Sequence, residues 1–118
     1  MATLYNKLGG EPALKAVVDK FYEFMLADPI VNYFFESIDM NKQRQRQFQF
    51  LTLVTGGPNI YEGTDMKAAH AKYKIGKKEF DQTWKHLEDS LTFHKVDPAL
   101  INEVKDIFYS VEKEVETV

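Results

Sequence analysis

The 118-residue chain contains no cysteine, so disulfides and thiolate metal ligands are both unavailable to it. No apolar run approaches the ~20 residues of a membrane-spanning helix. The opening Met1-Ala2-Thr3-Leu4-Tyr5-Asn6 has neither a charged n-region nor an apolar h-region, so no secretory signal is expected. These absences lead to the expectation of a cytoplasmic protein without a membrane partner. A basic stripe is also missing. The net charge is -3 with a pI near 5.6, and the cations are dispersed apart from Lys42-Gln43-Arg44-Gln45-Arg46, which excludes nucleic acid as an expected partner. Only three histidines occur. His86 and His94 fall on one expected helix, roughly 12 Å apart at about 1.5 Å rise per residue, too far to share a zinc ion, and no His-Glu-x-x-His motif is present.

Aromatic residues are plentiful: nine Phe, six Tyr and one Trp. With 44% hydrophobic residues, the chain has enough apolar mass for a core and the length of one domain, spanning 1–118. Flat side chains in this number suit either a large core or a flat apolar ligand.

Helical spacing prevails throughout. Leu14, Val17, Val18, Phe21, Tyr22, Met25 and Leu26 recur at steps of three and four after the break at Gly9-Gly10-Glu11-Pro12. Asp28-Pro29 ends that helix, because a residue before proline avoids the α region. A short aromatic segment, 30–35, follows. Asp39 is placed to cap a helix over 40–55, which Gly56-Gly57-Pro58 stops. The stretch 59–65 reads as a loop with Gly63 at a turn, and Asp65 as cap of a short helix with Met66, Ala69, His70 and Tyr73. A longer helix from about Lys77 sets Phe80, Trp84, Leu87 and Leu91 on one face. Asp97-Pro98 opens the last helix, whose apolar positions are Leu100, Ile101, Val104, Ile107, Phe108, Val111 and Val115. No segment alternates with period two and no repeat is present. The fold class is all-α, with five or six helices joined by short loops.

Two features do not suit a plain core. On the 40–55 helix, Gln43, Gln47, Phe50, Leu51 and Val54 share one stripe. Two amides thus stand where Leu or Ile is expected, and a buried amide without a partner costs roughly 1–3 kcal/mol. Either this end of the helix emerges into solvent, or the amides meet a polar ligand. Tyr22 lies on the apolar stripe of its own helix. It is either a core ring whose hydroxyl finds a backbone carbonyl or a hydroxyl aimed at something else. His70 is a surface or core histidine, or a ligand to a metal centre that needs a single protein nitrogen.

Taken in order, these residues resemble the truncated, two-over-two haemoglobins, and within them the first group. The resemblance is carried by Leu4-Tyr5-Asn6-Lys7-Leu8-Gly9-Gly10, Phe21-Tyr22, Phe34-Phe35, Asp39-Met40, and Gln43 with Gln47. It continues through Phe50-Leu51, Gly56-Gly57-Pro58, Tyr61, Gly63, Met66 and Lys67-Ala68-Ala69-His70. No single element is specific; the ordered set at these spacings is. It implies a globin-like, truncated two-over-two helical sandwich, monomeric, holding one haem b per chain.

Carried over residue by residue, the resemblance makes His70 the proximal iron ligand. It makes Tyr22 the distal hydroxyl, with Gln43 and Gln47 completing a distal hydrogen-bond network. Phe35 stacks on the porphyrin supported by Phe34, and Phe50, Leu51, Met66, Phe80 and Leu87 line it. Tyr61 and Lys42 are candidates to meet the propionates, and Arg46 to reach a propionate or solvent. Covalent attachment through Cys-x-x-Cys-His is excluded by composition. The sequence also departs from other members. Arg46 stands where some carry a sixth-site histidine, and 40–55 lacks histidine altogether, so a pentacoordinate iron is expected. Leu51 replaces a gating Phe. Thr83 stands where other groups place a distal Trp. A glycine pair after the proximal helix is reduced to Gly76.

The implied activity is reversible O2 binding, with CO and nitric oxide as further ligands. Conversion of nitric oxide to nitrate is a possible enzymatic use and needs a separate reductase. The alternative is a non-enzymatic O2 binder for storage, delivery or sensing. A helical interaction module without haem is a third reading and predicts a colourless protein.

Overall fold

The computed structural model describes residues 3–58 and 75–110. The loop and short helix expected over 59–73, with Tyr61, Gly63, Met66 and His70, lie outside them, as do Val111 and Val115. Every regular element among the described residues is helical. They are α1 (Leu4–Leu8), α2 (Gly10–Leu26), a 3-10 turn (Asn32–Phe35), α3 (Met40–Val54), α4 (Lys77–Phe93) and α5 (Pro98–Ser110). Among these, no helix is long and apolar enough to cross a membrane.

Local chemistry sets the ends. Asp39 accepts from the amides of Asn41 at 3.0 Å and Lys42 at 3.4 Å, starting α3. Asp97 accepts from Ala99 N at 2.8 Å, and Pro98 takes the first helical position of α5, where no donor is missed. Glu79 reaches back to the amide of Gly76 at 3.0 Å to open α4. At the far end of α3, Gly56 has φ +91, a left-handed conformation that glycine adopts without strain. A Cβ on the next residue, Gly57, would stand 2.7 Å from the Tyr5 ring and 2.8 Å from Thr52. The chain start is bolted to this point, with Tyr5 N donating to Thr55 O at 2.8 Å. Helix α1 is an element that the periodicity did not announce.

α2 packs on both α3 and α4, and α4 packs on α5, so one helix pair lies over another. The core runs through the middle: Leu14, Val18, Phe21 and Tyr22 from α2, Leu51 from α3, and Trp84, Leu87 and Leu91 from α4. Phe80 and Ile75 form a second small cluster, against which Phe34, Phe108 and Tyr109 pack. Phe80 is 1% exposed and its ring lies 4.6 Å from that of Phe108.

Two expectations about burial need correction. Leu26 is exposed at the end of α2. On α3, the deepest positions are Phe48, Gln49, Leu51 and Thr52, with Thr55 just beyond the helix. Gln43, Gln47, Phe50 and Val54 are half-buried. The threonines go inside because their hydroxyls are satisfied within the chain, Thr52 on Phe48 O at 2.8 Å and Thr55 on Leu51 O at 2.6 Å. A satisfied hydroxyl removes most of the penalty that would keep threonine outside.

Candidate functional site

Among the described residues Tyr22 is the largest fully buried side chain, 2% exposed on α2. Its ring is held by Phe21 at 4.8 Å and, edge-on, by Phe35 at 5.5 Å. Burial pushes its phenol far above the ordinary value of 10.0, opposed by the weaker effects of Gln43 and the positive charge of Arg44. The group is therefore neutral and retains its proton. Gln43, on the first turn of α3, donates from Nε2 to the Tyr22 oxygen at 3.0 Å. That bond uses an oxygen lone pair and leaves the Tyr22 O–H unused. No protein acceptor for it occurs among the described residues. A buried, unspent donor of this kind costs roughly 1–3 kcal/mol unless a ligand or water takes it.

Gln47 lies one helical turn beyond Gln43 on the same face of α3, half-buried. The 3-10 turn brings Phe34 and Phe35 to this region, their rings 6.5 Å apart and nearly perpendicular. Phe34 also touches the Phe80 cluster from α4, and Leu87, 1% exposed, comes from the same helix. Tyr22, Gln43 and Phe35 are thus brought into direct contact. Phe50 is half-buried on α3 and Leu51 is buried. Lys42 and Arg46 are exposed on α3. A separate hollow of about 400 Å³ between α2 and α3 is lined by Lys15, Asp19, Arg44 and Phe48, among others, but by none of Tyr22, Gln43 or Gln47.

The two described histidines are engaged elsewhere. His94 is exposed, with Nε2 3.2 Å from Ala16 O. His86 Nε2 lies 2.6 Å from Asp28 Oδ2, and the same oxygen accepts from Gln82 Nε2 at 2.8 Å. Asp28 and His86 are only 12% and 13% exposed. Neither sequence position signalled this cluster. The one available sign was that Gln82 and His86 sit one turn apart beside the apolar face of α4. Thr83, half-buried, donates to Glu79 O at 2.8 Å.

An apolar wall beside a neutral buried hydroxyl and the Gln43 amide fits a flat apolar group carrying a small polar ligand. Residues 3–117 match the family model for bacterial-like globins. The chain is 40% identical to a group 1 truncated haemoglobin of Tetrahymena pyriformis over 113 residues, 96% of this chain and 93% of the relative. It is 41% identical to the group 1 truncated haemoglobin GlbN of Synechocystis over 108 residues, 88% and 87% of the two chains. The crystal structure of the Tetrahymena pyriformis protein in its Fe(III) form superposes with a TM-score of 0.95 at 39% identity, covering 98% of both chains. Three variant structures of that protein carry one Tyr-to-Phe and two Gln-to-Glu substitutions. Their spacing along the chain equals that of Tyr22, Gln43 and Gln47 here.

Proposed function

This chain belongs to the bacterial-like globins and, within them, to the group 1 truncated haemoglobins, a family that carries haem and binds small gases, and we propose that it holds O2 through Tyr22, Gln43 and Gln47. The observation that carries this reading is the buried Tyr22 hydroxyl, which accepts from Gln43 and still has its own proton to give. When bound, haem supplies an iron with an open position for a diatomic gas. The residues of this chain do the rest. Burial keeps Tyr22 neutral and so a donor. Gln43 fixes the direction of that donor, and Gln47 offers a second amide. Phe35, edge-on to Tyr22, helps exclude water, which strengthens every hydrogen bond inside.

His70 is the proximal ligand in this reading. Support comes from the other two imidazoles, since His86 and His94 have protein partners. No histidine stands on α3 to offer the iron a second imidazole, so His70 alone would hold the iron of one haem b per chain, and the gas side would be free in the ferrous state. Two or three donors aimed at bound gas favour slow release, which suits chemistry better than bulk transport. The favoured chemistry combines one nitric oxide with one O2 and one electron to give nitrate, the electron being restored by a separate reductase. The protein is read as a monomer.

The test is haem titration followed by visible spectra, ferric and then dithionite-reduced under CO. One equivalent taken up, with a Soret band shifted by CO, supports the reading. A colourless protein overturns it. Catalytic nitric oxide consumption with an electron donor then separates the enzyme from a storage or sensing protein.

A further inference from the structure

We propose that Asp28, gripped by Gln82 and His86, is a positioning residue that sets Phe35 against Tyr22 and so tunes the gas-binding side of the pocket. The inference rests on the proposed haem-binding reading, but its own geometry is independent of it.

Asp28 stands at the corner between α2 and the 3-10 turn and organises that corner in three ways. Its Oδ1 accepts from Ile30 N at 3.0 Å. Its backbone carbonyl accepts from Val31 N at 3.1 Å and Asn32 N at 2.8 Å, launching the turn. Its Oδ2 takes Gln82 at 2.8 Å and His86 at 2.6 Å. Gln82 and His86 are four residues apart, so one carboxylate oxygen spans a full turn of α4. Val31, next but one to Pro29, is wholly buried, and Pro29 restricts the backbone between. The phase of the turn is therefore defined by α4. Phe35 ends that turn and meets the Tyr22 ring at 5.5 Å and 88°. A continuous chain of contacts thus runs from α4 through Asp28 and Phe35 to Tyr22 and Gln43. The interior carboxylate is held ionised despite the desolvation that opposes it, because His86, the Ile30 amide and Gln82 all favour the charged form.

The test uses the haem-loaded protein with Asp28→Asn and His86→Gln, and His94→Gln as control. Three quantities are read: the NMR contact between the Tyr22 and Phe35 rings, the C–O stretch of the carbon monoxide adduct, and the O2 dissociation rate. Both clasp variants are expected to weaken the ring contact, add a second C–O band and speed O2 release by roughly three- to tenfold. The control is expected to match wild type in all three. If Asp28→Asn fails to fold, His86→Gln, which leaves the Ile30 and Gln82 bonds in place, carries the test. A lowered melting temperature with the ring contact and C–O band unchanged overturns the proposal and leaves the clasp a brace only. A protein that takes up no haem sinks the functional reading, whereas the ring contact, read in the same samples, still decides the clasp.

Discussion

The amide nitrogen of Gln43 lies 3.0 Å from the hydroxyl oxygen of Tyr22, joining α3 to α2 through a bond in which the tyrosine accepts. The direction matters more than the distance. Had the tyrosine donated, its proton would be spent inside the protein. As it stands, the donor is oriented and uncommitted.

Replacing Tyr22 with Phe keeps the ring contacts with Phe21 and Phe35 and removes the hydroxyl, both the donor and the oxygen that accepts from Gln43. Losing roughly 1–2 kcal/mol of hydrogen bonding is expected to speed O2 dissociation about tenfold. Stopped-flow displacement by CO measures it, and an unchanged rate would remove Tyr22 from the role.

Replacing His70 with Ala is expected to abolish the Soret band and its CO shift, and added imidazole to restore both in part. Retention of a normal spectrum would transfer the ligand role to His86 or His94. That requires breaking the 2.6 Å contact to Asp28 or the one to Ala16 O.

Acid stability carries the mark of Asp28. Its folded pKa is lowered from the ordinary 3.8, so the unfolded chain takes up the proton first as pH falls. The stabilisation is complete above about pH 4 and is lost as pH drops through the lower folded value. Asp28→Asn is expected to flatten this acid limb. Denaturant titrations from pH 2 to pH 6 would show it, and parallel curves for the two proteins would contradict the assignment.

Phe80 is 1% exposed and packs against Phe108 and Tyr109. Phe80→Ala is expected to cost about 3–5 kcal/mol, lowering the melting temperature by roughly 10 °C or more. Thermal circular dichroism measures this, and a drop of only a degree or two would mean that the cluster repacks.

Much of the architecture was legible because punctuation is local. Asp39, Asp97-Pro98, Asp28-Pro29 and Gly56 mark helix ends through bonds that reach only a few residues, so the end of α2, both ends of α3 and the start of α5 could be read from the chain alone. Helix α1 was not, because five residues are too few to display a period. The buried side of α3 was misjudged by about one position. Thr52 and Thr55 count as polar in a pattern, yet each satisfies its hydroxyl on a carbonyl one turn back. Tyr22 and Gln43 could each be marked as out of place on its own helix. That they meet could not be read from either helix, since the contact spans 21 residues. The Asp28 clasp was invisible for the same reason, as a charged residue before proline looks like nothing more than a helix end.

That clasp bridges 58 residues from Asp28 to His86. Closing so wide a loop sacrifices more chain entropy than pairing α2 with α3. On that ground the clasp is expected to close late in folding, as α4 docks against α2. A contact made after the rate-limiting barrier governs escape from the native state and leaves entry to it untouched. Weakening the clasp should steepen the climb of the unfolding rate while refolding from denaturant proceeds at its usual pace, making Asp28 a keeper of the native state's lifetime.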